Sequence, residues 1–305
     1  MRFELTEPPL LSRSTVDRAD QLRDDEERLA ELWQAGRVIL VDRKGDALAR
    51  DGGATLASRA ATDLGDKPVD GAMFLGLAGD VAHWVVTSPR DEVSTVDGEE
   101  WLGLRQTGVL LDDTQVGLVA TATALANWHG RSRFCAACGT ATEVGRSGWA
   151  TRCPGCGIEE YPRTDPAVIC LVHDGVGANG EQVLLARGPQ WPENWLSVLA
   201  GFVEAGESLE ACVAREIAEE VGLTVHDIRY LGSQPHPFPR SLMIGFAAHA
   251  DRSAPLTLAE GEIATARWVS RAEVREALGA GEDGPLRVPG PVSIAGRMLE
   301  AWVAE

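Results

Sequence analysis

The stretch 201–223 constrains this 305-residue chain more than any other: Gly201-Phe202-Val203-Glu204-Ala205-Gly206-Glu207, seven further residues, then Arg215-Glu216-Ile217-Ala218-Glu219-Glu220-Val221-Gly222-Leu223. Ser208 can cap a helix and Gly222 can end it in the left-handed conformation, which predicts a helix from about Leu209 to Val221. At about 3.6 residues per turn, Val213, Ala214, Ile217, Ala218 and Val221 share one apolar arc, and Glu216, Glu219 and Glu220 crowd the adjoining one. Like charges at that spacing cost roughly 0.2 to 0.5 kcal/mol per pair, so a cation should offset them. A hard divalent ion suits such a patch, because magnesium takes one or two carboxylates and keeps waters and phosphate oxygens. The alternative is a solvated acidic face with Arg215 paired to Glu219 one turn on. For three glutamates alone that is the commoner outcome, and the flanking glycines with Glu207 favour the metal site.

At 44% hydrophobic content the chain can bury sizeable cores, enough for two domains and a small module. No run approaches about 18 apolar residues, and the start Met1-Arg2-Phe3-Glu4-Leu5-Thr6-Glu7-Pro8 has no signal-peptide apolar core, so a soluble cytoplasmic enzyme with no membrane role is expected. A formal net charge of -18 argues against a protein that holds DNA or RNA through a broad basic surface. An anionic substrate would instead need local metal and arginine.

Cys135-Ala136-Ala137-Cys138 and Cys153-Pro154-Gly155-Cys156 are two C-x2-C knuckles with 14 residues between them, the spacing of a four-thiolate zinc ribbon. Zinc would crosslink two turns in a segment too small for its own core, and four thiolates leave no open catalytic position. Disulfides or a redox pair are the competing readings. Cys170, in an apolar run, and Cys212, on the glutamate helix, read as small buried hydrophobes.

Upstream, Arg37 to Val41 with Ala47-Leu48, and Met73 to Leu77 with His83 to Thr87, read as hairpins, and Val116 to Trp128 as a helix. The charged stretch Asp17 to Glu31 reads as a solvated helix face. No catalytic constellation stands out there, which leaves scaffolding or dimer contact. Downstream, strands are expected at 167–172, 182–186, 196–203, 229–231, 242–250 and 264–269, and helices at 270–278 and near 294–303.

The residues of 201–223 fill every position of G-x5-E-x7-R-E-U-x-E-E-x-G-U, with U aliphatic, and so resemble the signature of the Nudix hydrolases. Ten residues on, Ser233-Gln234-Pro235-His236-Pro237-Phe238-Pro239-Arg240-Ser241 is similar to the S-Q-P-W-P-F-P-x-S hallmark of the bacterial NADH pyrophosphatase branch, which also carries a ribbon at this place in the chain. The resemblance implies an α+β chain: an N-terminal α/β-type domain over 1–128, a ribbon over 129–162, and a Nudix mixed sheet sandwiched by helices over 163–305. It implies that Glu216, Glu219, Glu220 and Glu262 bind magnesium or manganese, with the Ala200 carbonyl facing the same ions and with Glu207 and Arg215 in the catalytic signature. It also implies a dinucleotide pocket containing Phe202, Tyr161, Gln234, His236, Ser241, Met243 and Ala295. Taken residue by residue, Phe202, Tyr161 and Met243 could equally be core. Arg215 reads as an orienter of the glutamates, and Arg240 is open as a phosphate contact. His236 replaces the family tryptophan; a histidine there offers less area for stacking and predicts NAD+ binding that varies near pH 6.5, its unperturbed value of about that size.

The chemistry implied is attack of water on a phosphorus of NADH or NAD+, with metal ions neutralising charge and lowering the water's pKa. Glu219, Glu220 and Glu262 are equal candidates for the general base. Removal of NAD caps from RNA follows by the same chemistry, and Arg131, Arg133, Arg163 and Arg240 could admit an RNA tail. A broader nucleoside-diphosphate hydrolase, taking ADP-ribose or dinucleoside polyphosphates, is the nearest alternative. A nucleotide-sensing, nucleic-acid-binding regulator is disfavoured by the complete glutamate set and the lack of a helix-turn-helix. A homodimer is expected.

Overall fold

The computed structural model describes residues 2–281 and 284–304. The chain divides into two compact units: one holds the residues up to Ser12, Asp165–Gln234 and everything from Ser241 on, and the other holds Arg13–Thr164 with Pro235–Arg240.

In the second unit, a sheet is built from β1 (Arg37–Val41), β2 (Ala47–Arg50), β3 (Thr55–Leu56), β4 (Ser58–Ala60), β5 (Met73–Ala78), β6 (Val81–Thr87) and β7 (Glu100–Leu102). The two expected hairpins form, β1 with β2 and β5 with β6, and β1 also lies parallel to β6 from Arg37↔His83 to Val41↔Thr87. Helix α1 (Glu26–Trp33) covers one face, where Trp33 and Phe74 pack on Trp84 at ring separations of 4.9 and 5.4 Å. The charged stretch is α-helical only from Glu26, after a 3-10 turn at Asp20–Leu22. Before it, Ala19 takes a left-handed φ of 41° and Asp17 exchanges two backbone hydrogen bonds with Leu77, so the chain there runs as a strand-like tie to the sheet. A short α2 (Leu104–Thr107) precedes α3 (Asp113–Arg131), which starts earlier than its alanine-rich run because Asp112 caps it through the Gln115 N–H.

The ribbon follows as β8 (Glu143–Gly145), β9 (Ala150–Arg152) and β10 (Glu159–Glu160), antiparallel with β9 central.

The first unit is a sheet of β11 (Asp165–His173), β12 (Gln182–Arg187), β13 (Leu199–Phe202), β14 (His226–His236), β15 (Ser241–His249) and β16 (Thr265–Ser270), in the order β14-β15-β11-β12-β16 with β13 on β11. β11 lies parallel to β15 and antiparallel to β12 and β13. Its near-continuous apolar run is what a strand covered on both faces requires. Val168, Cys170 and Val172 join Cys212, Val213, Ile217 and Val221 of α4 (Leu209–Val221), while Ile169 and Leu171 join Val274 and Ala277 of α5 (Arg271–Ala280) and Met298, Leu299 and Trp302 of α6 (Ile294–Ala304). The two cores have alternating periods on one strand, so helices must sandwich the sheet. Phe3 is fully buried in the α5/α6 core, which ties the first residues to this sheet and not to the sheet that follows them in sequence. The expected strand over 196–203 is ordered as β13 only from Leu199, with Ser197 bridged to Ala186 instead.

Candidate active site

Helix α4 has the predicted ends: the Ser208 hydroxyl accepts from the Ala211 N–H at 3.2 Å, and Gly222 sits at φ 75°. Arg215 gathers the carboxylates. It donates to both oxygens of Glu207 at 2.8 and 2.9 Å, to Glu216 at 2.9 Å, to Glu219 at 2.9 Å and to the Phe202 carbonyl at 3.0 Å. A guanidinium so occupied is an orienter with no donor fork to spare for a phosphate. The i+4 pair with Glu219 exists, as one contact among several. Arg215, followed by the Glu204 N–H, pulls the Glu207 carboxyl down to about 2.

Glu216 lies against β13. A β-carbon built at Gly201 would fall on its carboxyl group, so only glycine leaves the carboxylate its place. Burial is the main force raising the Glu216 carboxyl above its ordinary value, opposed by Arg215. Glu220 is more extreme: it is 6% exposed, its Oε2 is buried with no hydrogen-bond partner, and burial, then Glu216, Glu262 and Glu219, push its carboxyl up to about 8. A buried, unpartnered carboxylate oxygen among like charges is costly unless a cation completes it. The loop carrying Glu262 is tied to the end of α4, with Ala259 N–H donating to the Glu220 carbonyl at 3.0 Å and Thr257 N–H to that of Val221 at 2.9 Å. Glu216, Glu219, Glu220 and Glu262 thus share one electrostatic neighbourhood, with the oxygen chemistry that a hard divalent ion takes.

The cysteines form a different kind of set. All four sulfurs lie within 4.8 Å of one another, and among the described residues they are the set that closes this tightly. Cys135 and Cys156 are 3.6 Å apart and Cys138 and Cys153 3.4 Å, close to the roughly 3.8 Å edge of a tetrahedron with zinc–sulfur bonds of about 2.3 Å. The knuckles are built alike: Cys135 and Cys153 each accept from a glycine two residues past the second cysteine's predecessor, Gly139 at φ 72° and Gly157 at φ 77°. None of the four is in a disulfide. Cys170 and Cys212 are buried, as expected of small hydrophobes.

Three family models match the chain in succession: an NADH pyrophosphatase-like rudimentary NUDIX domain over 29–128, an NADH pyrophosphatase zinc ribbon domain over 131–161 and a NUDIX domain over 163–287. A relative from Mycobacterium bovis named NAD-capped RNA hydrolase NudC is 48% identical over 309 aligned residues, covering 99% of this chain and 97% of the relative. The same name and figures apply to a protein from Mycobacterium tuberculosis. A Pseudomonas aeruginosa protein of that name is 42% identical over 62% of this chain and 68% of its own length. This chain belongs to the NADH pyrophosphatase branch of the Nudix hydrolases.

In this Nudix hydrolase the remaining expected pocket residues fall in both units. On the hydrolase sheet, Phe202 is 59% exposed, so its ring is not core, and Ala200 lies beside it on β13. Gln234 is buried and donates to the Val292 carbonyl at 2.9 Å, holding β14 to the turn before α6. Ser241 opens β15 opposite Asp165. Met243 packs at the edge of the α5/α6 core and Ala295 lies within it. In the other unit, Tyr161 is 57% exposed with its hydroxyl on Glu159. There too lies the proline-rich loop: Asn127 donates to the Pro237 carbonyl at 2.9 Å, the His236 and Phe238 rings meet edge-on at 4.9 Å, and the Arg105 guanidinium stands 4.4 Å from the Phe238 ring. Burial, and then Arg105, lower the His236 imidazole to about 4. The expectation of a titration near neutral pH is therefore overturned: desolvation keeps this histidine uncharged where an exposed one would protonate.

Arg105 was not found from the sequence, and nothing local could have marked it, since its partner Phe238 is 133 positions away. The Gly201–Glu216 contact could have been suspected, because a glycine in a strand often marks a close approach.

Proposed function

We propose that this enzyme hydrolyses the pyrophosphate bond of NADH and NAD+ to nicotinamide mononucleotide and AMP, and removes NAD caps from RNA 5' ends, with magnesium or manganese. The observation that carries the reading is Glu220, a buried carboxyl with an unpartnered oxygen inside a four-glutamate cluster; the name shared by the relatives supports the substrate. When bound, a divalent cation supplies charge neutralisation at the pyrophosphate and a water of lowered pKa. The chain's own residues do the rest. Glu216, Glu219, Glu220 and Glu262 would hold the cation, Arg215 with Glu207 keeps Glu216 and Glu219 in place, and one of Glu219, Glu220 and Glu262 would take the proton of the attacking water. The water oxygen bonds to phosphorus as the bridging P–O bond breaks, and the bridging oxygen leaves with the other phosphate. Phe202 and Tyr161, both exposed rings, are stacking surfaces for the bases. Gln234, Ser241 and Met243 of the hydrolase sheet and His236 of the other unit are assigned to base recognition, the Ala200 carbonyl would face the cation, and Ala295, buried in the α5/α6 core, is not a pocket wall.

We read the chain as three parts, 1–128, 129–162 and 163–305, corrected in that the residues up to Ser12 pack with the third part and Pro235–Arg240 with the first two, with zinc structural in the second and the first serving as scaffold or dimer contact in a cytoplasmic homodimer. Four free thiols poised for zinc support a reducing compartment. No helix among the described residues is long and apolar enough to cross a membrane. The deciding experiment compares magnesium-dependent hydrolysis of NADH, ADP-ribose, diadenosine polyphosphate and NAD-capped RNA. Preference for NADH and capped RNA supports the proposal, and equal or greater rates on ADP-ribose would replace it with a broad nucleoside-diphosphate hydrolase.

A further inference from the structure

At the far end of the hydrolase sheet its apolar face gives way to charge. On the face covered by α5 and α6, Leu171, Ala247 and Leu231 belong to the core or pack on it. Two residues beyond Leu171 and Ala247, and two before Leu231, the same face presents His173, His249 and Arg229. His173 and His249 are direct partners in the parallel β11–β15 pair, with ring centres 6.0 Å apart. Arg2, Asp227 and the turn at Gly175 to Ala178 join these residues in lining a cavity of about 130 Å³. That volume is enough to admit a phosphate group.

The groups around this cavity are set for an oxyanion. The Arg229 guanidinium is held 5.2 Å over the Phe3 ring, itself fully buried. His173 is 9% exposed, and its Nδ1 accepts from the Gly175 N–H at 3.1 Å, which leaves Nε2 as the ring's donor. Asp227 is the internal counter-charge, and it fits loosely. Its Oδ2 stands 3.6 Å from Arg2 Nη2 and 3.5 Å from His249 Nδ1, both beyond good hydrogen-bond length. Its backbone takes a left-handed φ of 52°, uncommon for a residue with a side chain. Two arginines face one aspartate in the cavity lining, and the nearest further carboxylates, Glu4 beside Arg229 and Asp174 beside His173, lie outside it.

We propose that this cavity is a second binding site, for a phosphate group, separate from the glutamate cluster. Val168 pairs with Gly201 beside Glu216, and His173 lies five residues further along β11, roughly 16 Å at about 3.3 Å per residue. It also lies on the opposite face of the sheet, so an anion there touches none of the catalytic carboxylates. The site stands independently of the substrate proposed above.

The test is calorimetric titration of inorganic phosphate, and separately of AMP, into the zinc-loaded full chain without added magnesium. Phosphate binds the wild type saturably in the millimolar range; Arg229→Gln and Arg2→Gln each weaken it by about tenfold or more. Arg229→Lys keeps most of the binding. Asp227→Asn tightens it several-fold, since asparagine tolerates the left-handed backbone and removes the competing charge. A merely structural pocket would not give opposite signs at Arg229 and Asp227. Arg2→Gln serves should Arg229→Gln fail to fold, because Arg2 is half exposed. An AMP affinity that moves with the same variants assigns the site to phosphate monoesters, and one that does not assigns it to free phosphate. No saturable phosphate binding up to about 50 mM in the wild type, or equal binding in wild type and Arg2→Gln, overturns the proposal.

Discussion

Gly201 and Glu216 compete for one volume: the Glu216 carboxyl group occupies the position where a β-carbon of residue 201 would stand. The glycine of the signature is therefore part of the proposed metal site, although it contributes no ligand atom. Gly201→Ala should push the carboxylate aside and lower kcat by roughly a hundredfold, the scale of a misplacement of about 1 Å at a reacting centre. Circular dichroism and melting temperature should stay near wild type, because β13 keeps its pairing. Near-normal turnover in this variant would mean that Glu216 does not need its observed position.

Glu220→Gln and Glu216→Gln should each abolish nearly all turnover at saturating magnesium, since the amide is close in shape but lacks the anionic oxygen a hard cation needs. The fold should survive, because at Glu220 burial already disfavours the charged carboxylate, raising the carboxyl to about 8, and glutamine fills the same space without a charge. Added magnesium should raise the melting temperature of wild type and not that of Glu220→Gln, as binding to the native state alone stabilises it. Activity above a tenth of wild type in both variants would remove this cluster as the metal site.

The purified protein should carry about one zinc per chain, measured by metal analysis. Cys135→Ser breaks the tetrad at a sulfur 3.6 Å from Cys156 and should release the zinc and lower the stability of the ribbon. The magnesium dependence of whatever folded enzyme remains should be unchanged. Detection of a disulfide between the knuckles in the purified protein would contradict the assignment.

His236 yields a pH prediction with a definite sign. Burial and Arg105 depress its folded-state value to about 4, below the unperturbed one near 6.5. The unfolded chain therefore binds more protons between those values, and stability is lost as pH falls from about 6.5 to 4. His236→Trp should remove that part of the acid slope in melting experiments. Between pH 6 and 8 the imidazole is neutral, so KM for NAD+ should not move through any titration of this residue. If the ring faces the nicotinamide, His236→Trp lowers KM for NADH by an amount worth roughly 0.5 to 1.5 kcal/mol and leaves ADP-ribose unaffected; equal effects on both substrates would place it away from the base.

The glutamate helix was legible residue by residue, because its information is local: a serine and a glycine set the ends, the 3.6-residue period sets the faces, and the strictly spaced Arg215 and glutamates set the chemistry. The ribbon was legible for the same reason, four thiolates in two short turns. The strands of the hydrolase sheet were found to within a few residues, except β14, which was read as Arg229 to Leu231 and runs from His226 to His236 because pairing with β15 extends it past its polar ends. What the sequence by itself could not decide was environment. Glu216, Glu219 and Glu220 look alike in the chain, yet Arg215 binds the first two while burial isolates the third. His236 reads as a titrating residue until its burial beside Arg105 is known. Phe202 and Tyr161 fit core and pocket equally as residue types, and only their exposure separates them from Ala295, which lies in the core. Composition and spacing determine which side chains can meet a metal or a ring, since those depend on neighbours within a turn or two. Only the tertiary structure decides which of them lose water, because desolvation is set by residues a hundred positions away.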